Sequence, residues 1–195
     1  MPRSRAPKIG VLGGSFNPPH DGHREISLLA LDWLGLDAVW WLVSPANPLK
    51  DPAGYAPYEE RLRRARDLAR DPRIVVSDFE KRRGLRYTVD TLAALRAEWP
   101  KTRFVFLMGA DSLARLDRWK DWRAIFRLAP IAVFSRPGSE RAADEAPAAK
   151  EFAPFRREGE AARALAEAAP PARAFHAETA NPLTSTALRR KATLS

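Results

Sequence analysis

The sequence predicts an α/β fold, a doubly wound parallel sheet with helices on both faces, in a single domain. Three observations predict it. Five short apolar runs are rich in β-branched and aromatic residues, amphipathic stretches of helical period separate them, and 195 residues suffice to bury one sizeable core.

Taken in order, "KIGVLGG" (8–14), "AVWWLVSP" (38–45), "RIVVSDF" (73–79), "RFVFLMGA" (103–110) and "IAVFSRP" (131–137) end near Gly, Pro or Ser and read as buried strands. Between them, apolar residues recur at spacings of three and four. Ile26, Leu29, Ala30, Trp33 and Leu34 form one such stripe, Tyr58, Leu62, Ala65 and Ala69 a second, and Val89, Leu92, Leu95 and Trp99 a third. Alternation of this kind implies a parallel sheet with helices on both faces. Residues 1–7 form a basic tail ahead of a domain spanning 8–195. Residues 139–172, dominated by Ala, Glu, Arg and Pro, read as a variable surface connection that carries no site residue. The chain then returns with "ARAFHAET" and a last helix from about Thr184 or Ser185.

Composition excludes several function classes. Without cysteine there is no disulfide framework, thiolate zinc site or cysteine nucleophile, and a reducing cytoplasm suits the chain. No run of about 18 apolar residues exists to span a membrane, and the apolar stretch after "MPRSRAPK" is too short for a signal peptide. The net charge of +9 favours anionic partners. The basic stretches "YEERLRRARDLARD" and "EKRRG" lack interleaved aromatics on which bases could stack, so they read as solvated faces, and neither nucleic acid nor membrane is an expected partner.

Chemistry concentrates in "GGSFNPPHDGH" (13–23), at the carboxyl end of the first strand, where open parallel sheets bind ligands. Gly13 and Gly14 permit sharp turning and close approach of backbone N–H groups, and a helix beginning near Asp21 to His23 turns its positive end toward the same space. His20 and His23 then stand as donors to phosphate oxygens, worth roughly 3–4 kcal/mol per well-placed donor. Neither the GxxxxGK(S/T) nor the GxGxxG spacing is present, which disfavours ordinary NTPases and dinucleotide oxidoreductases. The third histidine is the distant His176 and no HExxH exists, so no metal site is expected.

These residues resemble the G-(S/T)-F-(D/N)-P-x-(H/T)-x-G-H signature of the nucleotidylyltransferase superfamily. "LTSTALR" (183–189) is similar to its second signature, ISSTxxR. Leu183 and Thr184 depart from it, whereas Ser185, Thr186 and Arg189 match. "SPANPLK" (44–50), "RYTVDTL" (86–92) and "LMGADSLARLDRW" (107–119) are similar to segments of the bacterial nicotinate-nucleotide adenylyltransferases. The resemblance implies a Rossmann-like fold and a place in NAD biosynthesis. The implied reaction is in-line adenylyl transfer from Mg-ATP to nicotinate mononucleotide, giving deamido-NAD and pyrophosphate without a covalent intermediate.

It also implies roles. His20, His23 and Arg189 would be catalytic. Gly14, Ser15, Phe16, Gly109, Asp111, Ser185 and Thr186 would join them in binding ATP, with Mg²⁺ carried on the triphosphate. Asn47 and Lys50 would grip the acceptor's phosphate, Thr88 would donate to the pyridine carboxylate, Trp119 would stack on the ring, and Arg136 would reach a phosphate. Trp33, Trp40 and Trp99 are read as packing, with Trp122 undecided. Two other readings stay open: a sister transferase acting on nicotinamide mononucleotide or phosphopantetheine, and a non-catalytic nucleic-acid-binding protein on the same scaffold.

Overall fold

The computed structural model describes residues 5–45, 55–135 and 143–176. Seven strands form one sheet in which every neighbouring pair is parallel. They are β1 (Lys8–Gly14), β2 (Ala38–Val43), β3 (Ile74–Ser77), β4 (Arg103–Gly109), β5 (Ile131–Phe134), β6 (Arg156–Arg157) and β7 (Arg173–His176), in the order β3-β2-β1-β4-β5-β7-β6. The five predicted strands are therefore all present, and the returning "ARAFHAET" supplies β7.

The period of two within each strand sends alternate side chains to opposite faces, and the helices cover both. Along β4, Phe104, Phe106 and Met108 point to one core, while Val105 and Leu107 point to the other. On the second side lie α1 (Asp21–Leu34) and α2 (Tyr58–Ala69), contributing Ile26, Ala30 and Leu62. The first side is closed by α3 (Phe79–Arg83), α4 (Thr88–Glu98), α5 (Ala110–Leu113) and α6 (Trp122–Leu128), through residues such as Phe79, Leu92, Leu113 and Phe126. Trp40 and Trp99 pack edge to face at 5.0 Å, Trp33 meets Phe134 at 5.9 Å, and Trp122, left undecided by the sequence, is buried against Phe126 and Phe152.

Much of the stretch read as a surface connection contributes to the interior. Its described part, 143–172, includes α7 (Pro147–Glu151), β6 and α8 (Gly159–Arg163), and it buries Ala143, Ala148, Leu165 and Ala172 completely. Small side chains let these short elements approach the sheet closely. Arg173, 3% exposed, ties them to β7 by donating to the carbonyls of Ala149 and Phe152 at 3.1 and 3.2 Å.

The sheet order decides where a ligand can sit. From β1 the chain winds outward through β2 and β3, then returns to lay β4 on the other side of β1, so β1 and β4 bound the switch point. Leu12 pairs with Leu107, two residues before Gly14 and Gly109 respectively, so both glycines stand at the carboxyl rim of that crevice.

Candidate active site

The segment after β1 does not turn at its glycines. Gly13 and Gly14 are the last residues of the extended strand, and the left-handed conformation falls instead on Phe16, at φ 46°. A non-glycine residue there is strained and persists only where its surroundings hold it. Phe16 is 1% exposed, stacks on Trp41 at 5.1 Å and meets the tilted ring of His23 at 4.6 Å, which supplies that hold.

His20, almost fully buried, stands in extended conformation at the N-cap of α1. Its backbone N–H lies 3.2 Å from Nδ1 of His23, and the two rings lie 3.9 Å apart. The same Nδ1 also lies 3.3 Å from the carbonyl oxygen of His20, so whether it accepts from the N–H or donates to the carbonyl follows the tautomer of the ring. The His23 ring is half-buried in the first turn of α1, beside the helix N-terminus, where anions are stabilised. Behind it, Trp41 Nε1 donates to Ser27 Oγ at 2.7 Å, and Ser27 Oγ donates to the carbonyl of His23 at 2.8 Å. This relay fastens the first turn of α1 to β2.

The sequence reading missed Arg61. It lies in a stretch read as a solvated face, yet it is 2% exposed, whereas Arg63, Arg64 and Arg66 on the same helix are open to solvent. Its Nε donates to the carbonyl of Ala56 at 3.1 Å, and its two terminal nitrogens reach the carbonyls of Ser15, Ser44 (2.9 Å) and Pro45 (3.2 Å). Tyr55 and Tyr58 flank the guanidinium at 5.4 and 5.2 Å. Burial draws its pKa below the usual arginine value, and the two tyrosines oppose that shift. From the other direction, Ala56 N–H donates to the buried Asn17 Oδ1 at 3.1 Å.

Glu80, in the "EKRRG" run, is a second correction to the solvated-face reading, being 8% exposed. It accepts from Thr91 Oγ1 at 2.9 Å and from the Ser44 hydroxyl. Burial raises its pKa and these two hydrogen bonds moderate the rise. Ser44 is thus held on three sides, since its N–H also donates to the carbonyl of Gly14 at 2.8 Å and its own carbonyl accepts from Arg61.

At the facing rim, Asp111 folds over Gly109, where a Cβ would lie 2.5 Å from its Oδ1, and it pairs loosely with Arg115 at 3.5 Å in solvent. Thr88 opens α4, half-buried. Trp119 is half-buried too and packs against Phe106 at 6.5 Å. Lys120 brings their segments together: it pairs with Asp90 at 3.1 Å and lies over the Tyr87 ring at 4.7 Å. Arg156 and Arg157, on β6 at the sheet edge, are separated from β1 by β7, β5 and β4. Among the described residues, no three His, Cys, Asp or Glu side chains cluster to hold a metal ion, and no helix is long and apolar enough to cross a membrane. Asn47, Lys50, Arg136, Ser185, Thr186 and Arg189 lie outside the described residues.

The sequence profile described as cytidylyltransferase-like matches residues 11–191, a span that includes both signature segments, 13–23 and 183–189. A protein of Cereibacter sphaeroides named "Probable nicotinate-nucleotide adenylyltransferase" is 52% identical over 181 residues, covering 93% of this chain and 96% of its own. One of the same name from Ruegeria pomeroyi is 51% identical over 167 residues, covering 86% and 78%. The chain belongs to the nicotinate-nucleotide adenylyltransferases, within the cytidylyltransferase-like family. Among solved structures, the nicotinic acid mononucleotide adenylyltransferase of Plasmodium falciparum in complex with NaAD superimposes with a TM-score of 0.70 at 14% identity, over 94% of this chain and 83% of that one. At that identity the likeness speaks for the fold, and it gives this adenylyltransferase-family chain the Rossmann-like sheet that its own strand order displays.

Proposed function

We infer that the chain transfers the adenylyl group of Mg-ATP to nicotinate mononucleotide, giving deamido-NAD and pyrophosphate. The observation that carries this reading is the braced His20–His23 pair at the head of α1, on the rim of the β1/β4 crevice, in a chain whose relatives bear that activity in their names.

A phosphate monoester is already a sufficient nucleophile near neutral pH, so the attack on the α-phosphorus needs no general base. What remains is to align the two phosphates and to stabilise the charge that grows on the α-phosphoryl oxygens and the leaving pyrophosphate. His23, as a ring donor, suits the oxygen bridging to the leaving group. His20 suits the α-phosphate, with backbone N–H groups of Gly14, Ser15 and Phe16 close by. Ser185, Thr186 and Arg189 would hold the β- and γ-phosphates, and Mg²⁺ would arrive on ATP, since imidazoles are poor partners for that hard cation. Asp111 would accept from the ribose hydroxyls beside Gly109. Asn47, Lys50 and Arg136 would take the acceptor's phosphate, Thr88 its carboxylate and Trp119 its ring.

Direct transfer makes a specific demand. ATP radiolabelled at its α-phosphorus should leave no label on the chain when acceptor is withheld, and transfer should invert the configuration of a chiral α-thiophosphate. Label retained on protein, or retention of configuration, would mean a two-step route.

A further inference from the structure

We propose that Arg61 is a positioning residue for this reaction, setting the phosphate-binding segment after β1 against the acceptor-side segment after β2. The assignment rests on the adenylyl-transfer reading for its kinetic consequence, but its structural basis is independent of any substrate.

A guanidinium buried to 2% exposure is costly unless its charge and all its N–H groups are answered. Among the described residues no carboxylate pairs with Arg61. Its donors go to backbone carbonyls from three separate places: Ser15 beyond β1, Ser44 and Pro45 beyond β2, and Ala56 before α2. Two tyrosine faces supply the remaining stabilisation of the cation. Such a side chain stores little information about the core, whose apolar residues would pack without it. What it specifies is the relative placement of two loop origins.

Those origins belong to opposite substrates in the proposed reaction. Ser15 precedes Phe16, whose strained backbone and stacked ring brace His23 on the ATP side. Ser44 and Pro45 begin the segment that continues to Asn47 and Lys50 on the acceptor side. Asn17 adds a second tie, its Oδ1 taking the N–H of the same Ala56 whose carbonyl takes Arg61 Nε. Lysine could not replace this arrangement, because one ammonium centre with three donors cannot reach four carbonyls drawn from three segments, as the planar guanidinium does.

The test is Arg61→Lys, which keeps the charge and the apolar stem, compared with Arg63→Lys on the exposed side of α2. Rates are expressed per folded molecule well below the unfolding temperature. Arg61→Lys should lower kcat by about 10- to 100-fold and raise the KM for nicotinate mononucleotide, because misplacement by about 1 Å suffices for a loss of that size. Arg63→Lys should leave both unchanged. A lower melting temperature with kcat and KM intact would overturn the proposal. Should Arg61→Lys not fold, Asn17→Ala slackens the same knot, and unchanged kcat in that variant would overturn it equally. Amide hydrogen exchange at residues 14–17, faster in Arg61→Lys than in the parent, reports the tether whichever acceptor the enzyme uses. A parent protein inactive on nicotinate mononucleotide would count against the substrate reading alone, and unaltered exchange would count against Arg61.

Discussion

The backbone N–H and the carbonyl oxygen of His20 lie 3.2 and 3.3 Å from Nδ1 of His23, and these contacts fix the orientation of the second imidazole. A donor so oriented needs no rearrangement as charge develops on a phosphate, which is the condition under which hydrogen bonds contribute most to a transition state. His23→Ala should therefore lower kcat by about 10² or more per folded molecule, with a loss of stability too small to account for it. Steady-state kinetics with parallel urea titrations separate the two effects. A large loss of stability, with full activity per folded molecule, would show the ring to be a helix cap and nothing more.

The relay from Trp41 through Ser27 to the His23 carbonyl predicts a stability effect at a residue that meets no substrate. Ser27→Ala strands the indole N–H of a fully buried tryptophan, at a cost of about 1–3 kcal/mol. Trp41→Phe removes the stranded donor, so the double variant should lose less than the sum of the single losses. Strict additivity of the two would mean that the hydrogen bond contributes nothing.

Glu80 predicts a pH dependence. Burial raises its folded pKa above the ordinary value of 4.5, so its contribution to stability is fully present below that value and is lost as pH rises through the raised folded pKa. Glu80→Gln removes the titration. Relative to the parent, the variant should therefore gain stability as pH rises over that interval, measured as urea midpoints at a series of pH values. A difference between the two proteins that stays constant with pH would contradict this account.

Trp119 is half-buried, packed against Phe106 and partly open to solvent. Trp119→Ala should raise the KM for nicotinate mononucleotide by about tenfold, equivalent to the roughly 1.4 kcal/mol that a stacked ring contributes, and leave the KM for ATP unaltered. Trp119→Phe should recover part of the loss. If only the melting temperature falls, the ring serves the core.

What was legible in the sequence follows from physical period and chemistry. The strands stood out because a two-sided parallel sheet needs continuous apolar runs, and His20 and His23 because polar rings beside a strand end are poor core fillers. Arg61 was hidden by its own charge. It sits three residues after Tyr58 and beside Leu62, on the buried stripe of α2, and that phase, rather than residue type, was the signal that separates it from Arg63 and Arg64. Glu80 followed the same rule beside Phe79. The backbone strain could not be read at all, because two glycines drew attention to positions 13 and 14 while aromatic stacking allowed Phe16 to take the left-handed conformation. In the 139–172 stretch, alanine-rich composition suggested surface, whereas close approach to a sheet edge requires small side chains.

Pyrophosphate release from Mg-ATP is the decisive measurement, with nicotinate mononucleotide, nicotinamide mononucleotide and phosphopantetheine offered in parallel. Release with the first should proceed at a kcat/KM well above that with the other two. A preference for another acceptor would leave the histidine pair in place and overturn the roles of Thr88 and Trp119, and no release with any of the three would contradict adenylyl transfer itself.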